Sequence, residues 1–368
     1  MNAYDRAPKG YRYEHTLIRI ETDQGIEGIG AGTYDRPDEA YVESLKILIG
    51  ANPLEIYQMD GERIIGRAPA FDNVLKENRH LDGPLYDLIG KLLNRPAWSL
   101  IGKSKRERIP VYDSTIYFSD VWFKDRGISA VVQEAQESVK SGFHAIKVKV
   151  GRGYRWMEEA AGDQRDIEVI HAVRDGVGPN VLVMADANYG YRGRFDAAWR
   201  LIYETRGDRL YWMEEIFPES VNGYQILREK MNKAGIKTLI AAGEHVRDVN
   251  AFKPYLTPIR LMDVLQMDIR QGGFLDNIEI AHMTAAVGGV AIPHNWASQI
   301  GLIMAIHLSR AVDAVPMVES DRSTCDVLIV EYELLNGNLV IPNKPGLGIE
   351  IDKRVYARQC KPNEIVIA

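Results

Sequence analysis

Cysteine is nearly absent: Cys325 and Cys360 are the two thiols in 368 residues. So few give no disulfide framework, and their separation matches no metal-ligand spacing, as expected for a protein kept in a reducing cytoplasm. Long apolar runs are missing too. No stretch of about 18 apolar residues occurs, and the opening MNAYDRAPKGYRYEH has no apolar segment of a signal peptide. Nor is there a block of positive charge. Lys and Arg total 45 against 51 for Asp and Glu, a formal net charge of -6, so nothing here would track a phosphate backbone. Low-complexity segments are absent as well. The expectation is a cytoplasmic protein with no nucleic-acid and no membrane partner.

What is present is a cadence. From Ile109 to about Leu308, short apolar runs alternate with helical stretches, the rhythm of an α/β fold with a parallel sheet. Residues 11–102 read differently. Residues 16–32 (TLIRIETDQGIEGIGAG) suggest a hairpin turning at Asp23-Gln24-Gly25. Helices are expected over 37–48, 52–65 and 84–93, the last with Leu85, Leu88, Leu92 and Leu93 on one face. After the alternating region, hairpin character returns, with a turn at Leu335-Asn336-Gly337-Asn338 and a break at 344–348. This tail is expected to pack back on the first segment.

Seven chemically capable residues end successive apolar runs: Lys149, Asp186, Glu214, Glu244, Asp268, His294 and Glu319. Their gaps of roughly 24 to 37 residues approach the ~31 expected when ~250 residues are shared among eight strand-plus-helix units. A (β/α)8 barrel gathers its strand ends at one mouth, so distant residues converge on one pocket. Lys147 and Lys149 flank Val148 and point to the same side of a strand. Two ammonium groups held close disfavour full protonation, which would let one lysine act as a base; a K-x-K pair is also common on ordinary surfaces. Asp186, Glu214 and Glu244 supply the oxygen donors that suit Mg2+, although a single acid at a strand end more often caps the next helix. Glu215 complicates the second of them, since spacing alone does not choose between Glu214 and Glu215. Asp268 beside His294 would fix the imidazole tautomer and raise its pKa, leaving the other nitrogen for proton transfer. Glu319 reads either as a carboxyl kept protonated by burial, donating to a substrate anion, or as half of a salt bridge.

Together these residues resemble the enolase superfamily, and within it the mandelate racemase-like subgroup. The resemblance runs over residues 11–352 and includes GPLYDLIGKLLNRPAWSLIG at 83–102 and IPNKPGLGIEID at 341–352. It implies a modified TIM (β/α) barrel with an α+β capping domain built from the N-terminal segment and the C-terminal tail. The division expected is 1–108 for the cap, 109–325 for the barrel and 326–368 for the return. It implies Lys149 as base, Lys147 as the contact to a substrate carboxylate, and Asp186, Glu214 and Glu244 as Mg2+ ligands. His294 with Asp268 becomes the second acid/base, facing Lys149 across the substrate, and Glu319 the electrophile. Asn188, Arg152, Tyr154 and His245 are expected at or near the substrate, with Arg155, Tyr189 and Tyr191 in the same loops.

The chemistry implied is dehydration of a sugar acid, an aldonate or aldarate. The α-proton is abstracted to a metal-stabilised enediolate and the β-hydroxyl is eliminated to give a 2-keto-3-deoxy acid. Racemisation or epimerisation of a 2-hydroxy acid is the alternative open to the same residues. A non-catalytic barrel that binds a sugar acid is the contrasting class, disfavoured by two proton-transfer groups on facing sides. The resemblance also implies a homo-oligomer. Two features depart from the family pattern. Its E-E-P is here Glu214-Glu215-Ile216-Phe217-Pro218, and the chain starts about where the first cap strand is expected to have ended. The expectation is that the cap lacks an edge strand or that Met1 lies inside a longer natural product.

Overall fold

The computed structural model describes residues 16–32 and 38–368, so the expectations placed on the first fifteen residues and on Pro37 lie outside the described residues. Strand β1 (Leu17–Glu21) pairs antiparallel with β2 (Glu27–Ala31). The expected helix over 37–48 is a short one, Glu39–Leu45, continued by a 3-10 turn, Lys46–Leu48. The helix expected over 52–65 does not form. One 3-10 turn, Pro53–Glu55, leads into a hairpin of β3 (Tyr57–Asp60) and β4 (Arg63–Arg67). The local reason is Asp60-Gly61. Gly61 takes φ +61°, which a D-G turn tolerates and a helix does not, and pairing Met59 with Ile64 outweighs the helical propensity of the flanks.

Eight parallel strands form the barrel: β5 (Ile109–Ile116), β6 (Ala145–Lys149), β7 (Leu182–Asp186), β8 (Trp212–Glu214), β9 (Leu239–Ala242), β10 (Val264–Leu265), β11 (Val290–Ala291) and β12 (Val318–Ser320). Each pairs with the next from β5 to β11, and β12 pairs back on β5. Helices such as Ile128–Lys140, Glu159–Val177, Ile269–Ala286 and Gln299–Ala311 return the chain between strands. The barrel interior is plugged by a cluster of Tyr112, Ala145, Met184, Trp212, Ala241, Val264, Ile292 and Met317. Each strand, or its immediate extension, contributes one residue, so that odd and even strands supply interleaved layers of four. Because strand side chains alternate, residues two further on face the same axis one layer higher. Those residues include Lys147, Asp186, Glu214, Gln266, His294 and Glu319, so the apolar plug is the floor of a polar mouth.

Beyond the barrel, β13 (Leu328–Val330) pairs with β16 (Ile349–Ile351), and β14 (Glu333–Leu335) with β15 (Asn338–Val340). The turn between the last two has Asn336 at φ +50° and Gly337 at φ +72°, both positive as a two-residue hairpin turn requires. The helix Asp82–Leu92 organises the cap, since it is buried for nearly its whole length. Asp87 on it accepts hydrogen bonds from the N–H of Ile29 (2.8 Å), the N–H of Leu347 (2.7 Å) and Lys91 (2.6 Å). One carboxylate thereby joins the hairpin, the helix and the returning tail. Asp82 faces the barrel, accepting from Tyr57 (2.6 Å) and from the N–H of Phe274 (3.0 Å) and Leu275 (3.2 Å). Arg67 (2.7 Å) and Arg79 both meet Asp276 on the same barrel helix. The hairpin lies so close to the cap helix that a Cβ on Gly30 would stand 2.2 Å from the Pro84 ring. Among the described residues no helix is long and apolar enough to cross a membrane.

Candidate active site

At the mouth, Lys147 is fully enclosed and bridges three carboxylates: Glu214 at 2.6 Å, Glu319 at 2.9 Å and Asp186 at 3.4 Å. Burial by itself would lower its pKa, but Glu214 and Glu319 outweigh that and raise it well above the ordinary lysine value. Three carboxylates around Lys147 therefore answer the like-charge repulsion expected between Lys147 and Lys149. Lys149 donates to Asp186 and to the side-chain oxygen of Asn188 (2.6 Å). Asn188 turns its backbone N–H onto Asp186 (3.0 Å) at φ +41°.

Asp186, Glu214 and Glu244 lie with ligand atoms within 4.8 Å of one another, all buried. Burial would raise the Asp186 carboxyl, but the ammonium groups of Lys149 and Lys147 hold it below the usual carboxylate range. Glu214 fares differently. Burial and the charge of Asp186 push it up to about 8 despite Lys147. Trp212 and Gln266 each donate to its other oxygen at 2.9 Å. Three converging carboxylates, one destabilised by its neighbours' charge, fit a hard divalent cation such as Mg2+. Glu215 does not share this cluster. It takes φ +43° at the end of β8, and its carboxylate belongs to a second group with Glu244 and His245. Burial, then the charges of Glu244 and Asp186, raise it well above the usual range.

Asp268 N-caps the helix Ile269–Ala286, with one oxygen accepting from the N–H of Arg270 (3.0 Å) and Gln271 (3.1 Å). Its other oxygen meets His294 Nδ1 at 2.9 Å. Burial alone would lower the His294 pKa, but Glu244 and the bond to Asp268 raise it to about 9. The Nε2 edge points toward Glu244, at 3.4 Å. Lys149 and His294 stand on the second and seventh strands of the eight, so they approach the pocket from different sides of the ring.

Three of the expected residues have surroundings that the sequence does not give. Glu319 takes the salt-bridge alternative: it stands 2.9 Å from Lys147 and accepts from the N–H of Asn295 at 3.0 Å, and although burial would raise its carboxyl, Lys147 and His294 pull it below the usual range. Arg152 is not available to a substrate. It is fully enclosed, paired with Asp120 (2.7 Å) and Asp166 (2.8 Å), and fastens the loop after β6 to the following helix. Tyr154 is exposed with its ring against the Arg155 guanidinium, 5.4 Å away. His245, by contrast, is half exposed at the mouth, 3.3 Å from Glu244. Gln266 and Trp212 were missed by sequence reasoning. The available signal was their position, two residues before Asp268 and Glu214 on the same strand face.

Residues 130–355 match the model of the family described as enolase C-terminal domain-like. The chain is 27% identical to D-xylonate dehydratase of Haloferax volcanii, covering 92% of this chain and 84% of that protein. It is 30% identical to D-galactarolactone cycloisomerase of Agrobacterium fabrum, over 93% of this chain and 90% of the relative. Among solved structures, a mandelate racemase/muconate lactonizing protein from Geobacillus sp., complexed with magnesium and tartrate, superposes with a TM-score of 0.80. It is 27% identical, covering 94% of this chain and 86% of the other.

Proposed function

Because this chain belongs to the enolase superfamily, in its mandelate racemase-like subgroup, we propose that it is a Mg2+-dependent dehydratase of a sugar acid, yielding a 2-keto-3-deoxy acid. The observation that carries the reading is the placement of two separate proton-transfer groups, Lys149 and the Asp268-supported His294, around one carboxylate cluster. A binding protein has no use for both. The relative named D-xylonate dehydratase supports the substrate class.

Asp186, Glu214 and Glu244 would hold the cation. A divalent cation held there would supply positive charge that stabilises an enediolate. Lys147, fixed between Glu214 and Glu319, donates a hydrogen bond to the substrate carboxylate. Lys149 removes the proton from the α-carbon. His294, with a pKa raised to about 9, is protonated at neutral pH and gives its Nε2 proton to the departing β-hydroxyl, which leaves as water. Asp268 holds the ring by Nδ1 and stabilises its charge. The enol that remains tautomerises to the keto acid. Asn188, bonded to Lys149, orients the base.

The test is proton NMR in D2O with Mg2+ and a panel of sugar acids of about four to six carbons, with Lys149→Ala and His294→Asn as controls. A 2-keto-3-deoxy product from one substrate is the expected result. A new diastereomer with α-deuterium and no keto acid would replace dehydration by epimerisation. An isomerised lactone would place the chain with its cycloisomerase relative.

A further inference from the structure

Glu215 has no part in the chemistry above, and its surroundings are unusual for a carboxylate. Its side chain is fully enclosed, and neither oxygen has a donor in hydrogen-bond geometry, Tyr189 being the nearest hydroxyl. Tyr189 lies beside it, but the phenolic proton goes to Glu219, whose oxygens are 2.8 and 2.9 Å away. Lys147 and Lys149 reach Asp186 and Glu214 instead. Arg247 is turned onto the carbonyls of Glu244 (2.8 Å) and Val246 (3.2 Å). A buried carboxylate without a donor is costly unless a cation meets it.

The group that does face Glu215 is the imidazole of His245. Its Nε2 stands 3.9 Å from Glu215 and 3.3 Å from Glu244, and the ligand atoms of all three residues lie within 4.8 Å of one another. Donors bonded at about 2.1 Å to one ion are separated by about 3.0 to 4.2 Å, so small side-chain rotations suffice. His245 is 48% exposed, which leaves an entry path from solvent. Glu244 belongs to this triad and to the Asp186–Glu214–Glu244 triad alike. A carboxylate with two oxygens can bridge paired ions about 3.5 to 4 Å apart.

We propose that Glu215, Glu244 and His245 form a second divalent-cation site beside the first, bridged by Glu244. The imidazole gives it a preference for Mn2+ or Zn2+ over Mg2+, since nitrogen ligands suit transition ions. An ion there faces the open mouth, where it would take oxygens of a polyhydroxy substrate away from its reacting carboxylate.

The inference rests on reading Asp186, Glu214 and Glu244 as ligands of the first ion, and stoichiometry separates the two. Metal-stripped full-length protein is titrated with Mn2+, and bound ions per chain are counted by calorimetry and electron paramagnetic resonance. The expected result is two ions for the wild type, with the spin-coupled signal of a close pair. One ion and no coupling is expected in Glu215→Gln and in His245→Asn. The second variant changes a half-exposed residue, so its fold is not at stake. One ion in the wild type, or two retained in both variants, overturns the second site and leaves the first intact. No bound ion in the wild type overturns both.

Discussion

Replacing Asp268 by Asn separates its two duties. The oxygen that caps the helix Ile269–Ala286 accepts from two backbone N–H groups, and Asn is an equally good cap, so the fold is expected to survive. What disappears is the negative charge 2.9 Å from His294 Nδ1. A hydrogen bond to a charged group is worth about 1.5–3 kcal/mol. At about 1.4 kcal/mol per decade, that becomes a roughly 10- to 100-fold drop in kcat if the bond acts fully on the protonated imidazole during elimination. The assay is steady-state kcat and KM for formation of the keto acid, with α-proton exchange in D2O and thermal unfolding followed in parallel. KM and Lys149-dependent exchange are expected to change little. A kcat within about twofold of wild type, in a variant with unaltered unfolding, would refute the role given to Asp268.

Stability should depend on pH through His307, which accepts the N–H of Trp98 in the core and whose pKa burial lowers from 6.5 to about 4. Its folded pKa lies below the unfolded one, so its contribution is full above about pH 6.5 and is lost as pH falls toward 4, by about 3 kcal/mol. Urea midpoints at about pH 7.5 and pH 5 should differ less in His307→Gln than in wild type; an unchanged difference would refute the assignment. Arg152→Met leaves Asp166 buried without its cation and Asp120 with only Arg165 at 3.4 Å, and a loss of about 3–5 kcal/mol in chemical denaturation is expected. Preserved stability with altered substrate preference would instead restore Arg152 as a substrate contact. Chelation with EDTA should abolish α-proton exchange, with Mg2+ restoring it; exchange that persists in metal-free protein would remove the cation from the reaction.

Much of the barrel could be read in advance because its signals are local. Apolar runs ending in a polar residue at near-regular intervals encode strand, mouth and next helix within a few residues of each other. The series Lys149, Asp186, Glu214, Glu244, Asp268, His294 and Glu319 follows from that register. The hairpin at 57–67 was less legible, since its flanks have helical propensity and only Asp60-Gly61 and the pairing of Met59 with Ile64 decide against a helix. Charge states were not legible at all. They depend on through-space neighbours from several strands: Lys147 and His294 pull the Glu319 carboxyl below its usual range, where the sequence left open a protonated acid or a salt bridge.

The sequence by itself determined most of the residues that face the barrel axis, because side chains alternate along a strand and the apolar floor and polar mouth are two residues apart, but it left Glu214 and Glu215 open. Only the tertiary structure decided partners. Arg152, three residues beyond Lys149, turns away into a pair of buried aspartates. Glu215, adjacent to Glu214, departs from strand geometry at φ +43° and joins His245 rather than Asp186. Spacing fixes the direction in which a side chain leaves the backbone; the charges brought in by distant segments fix what it meets there.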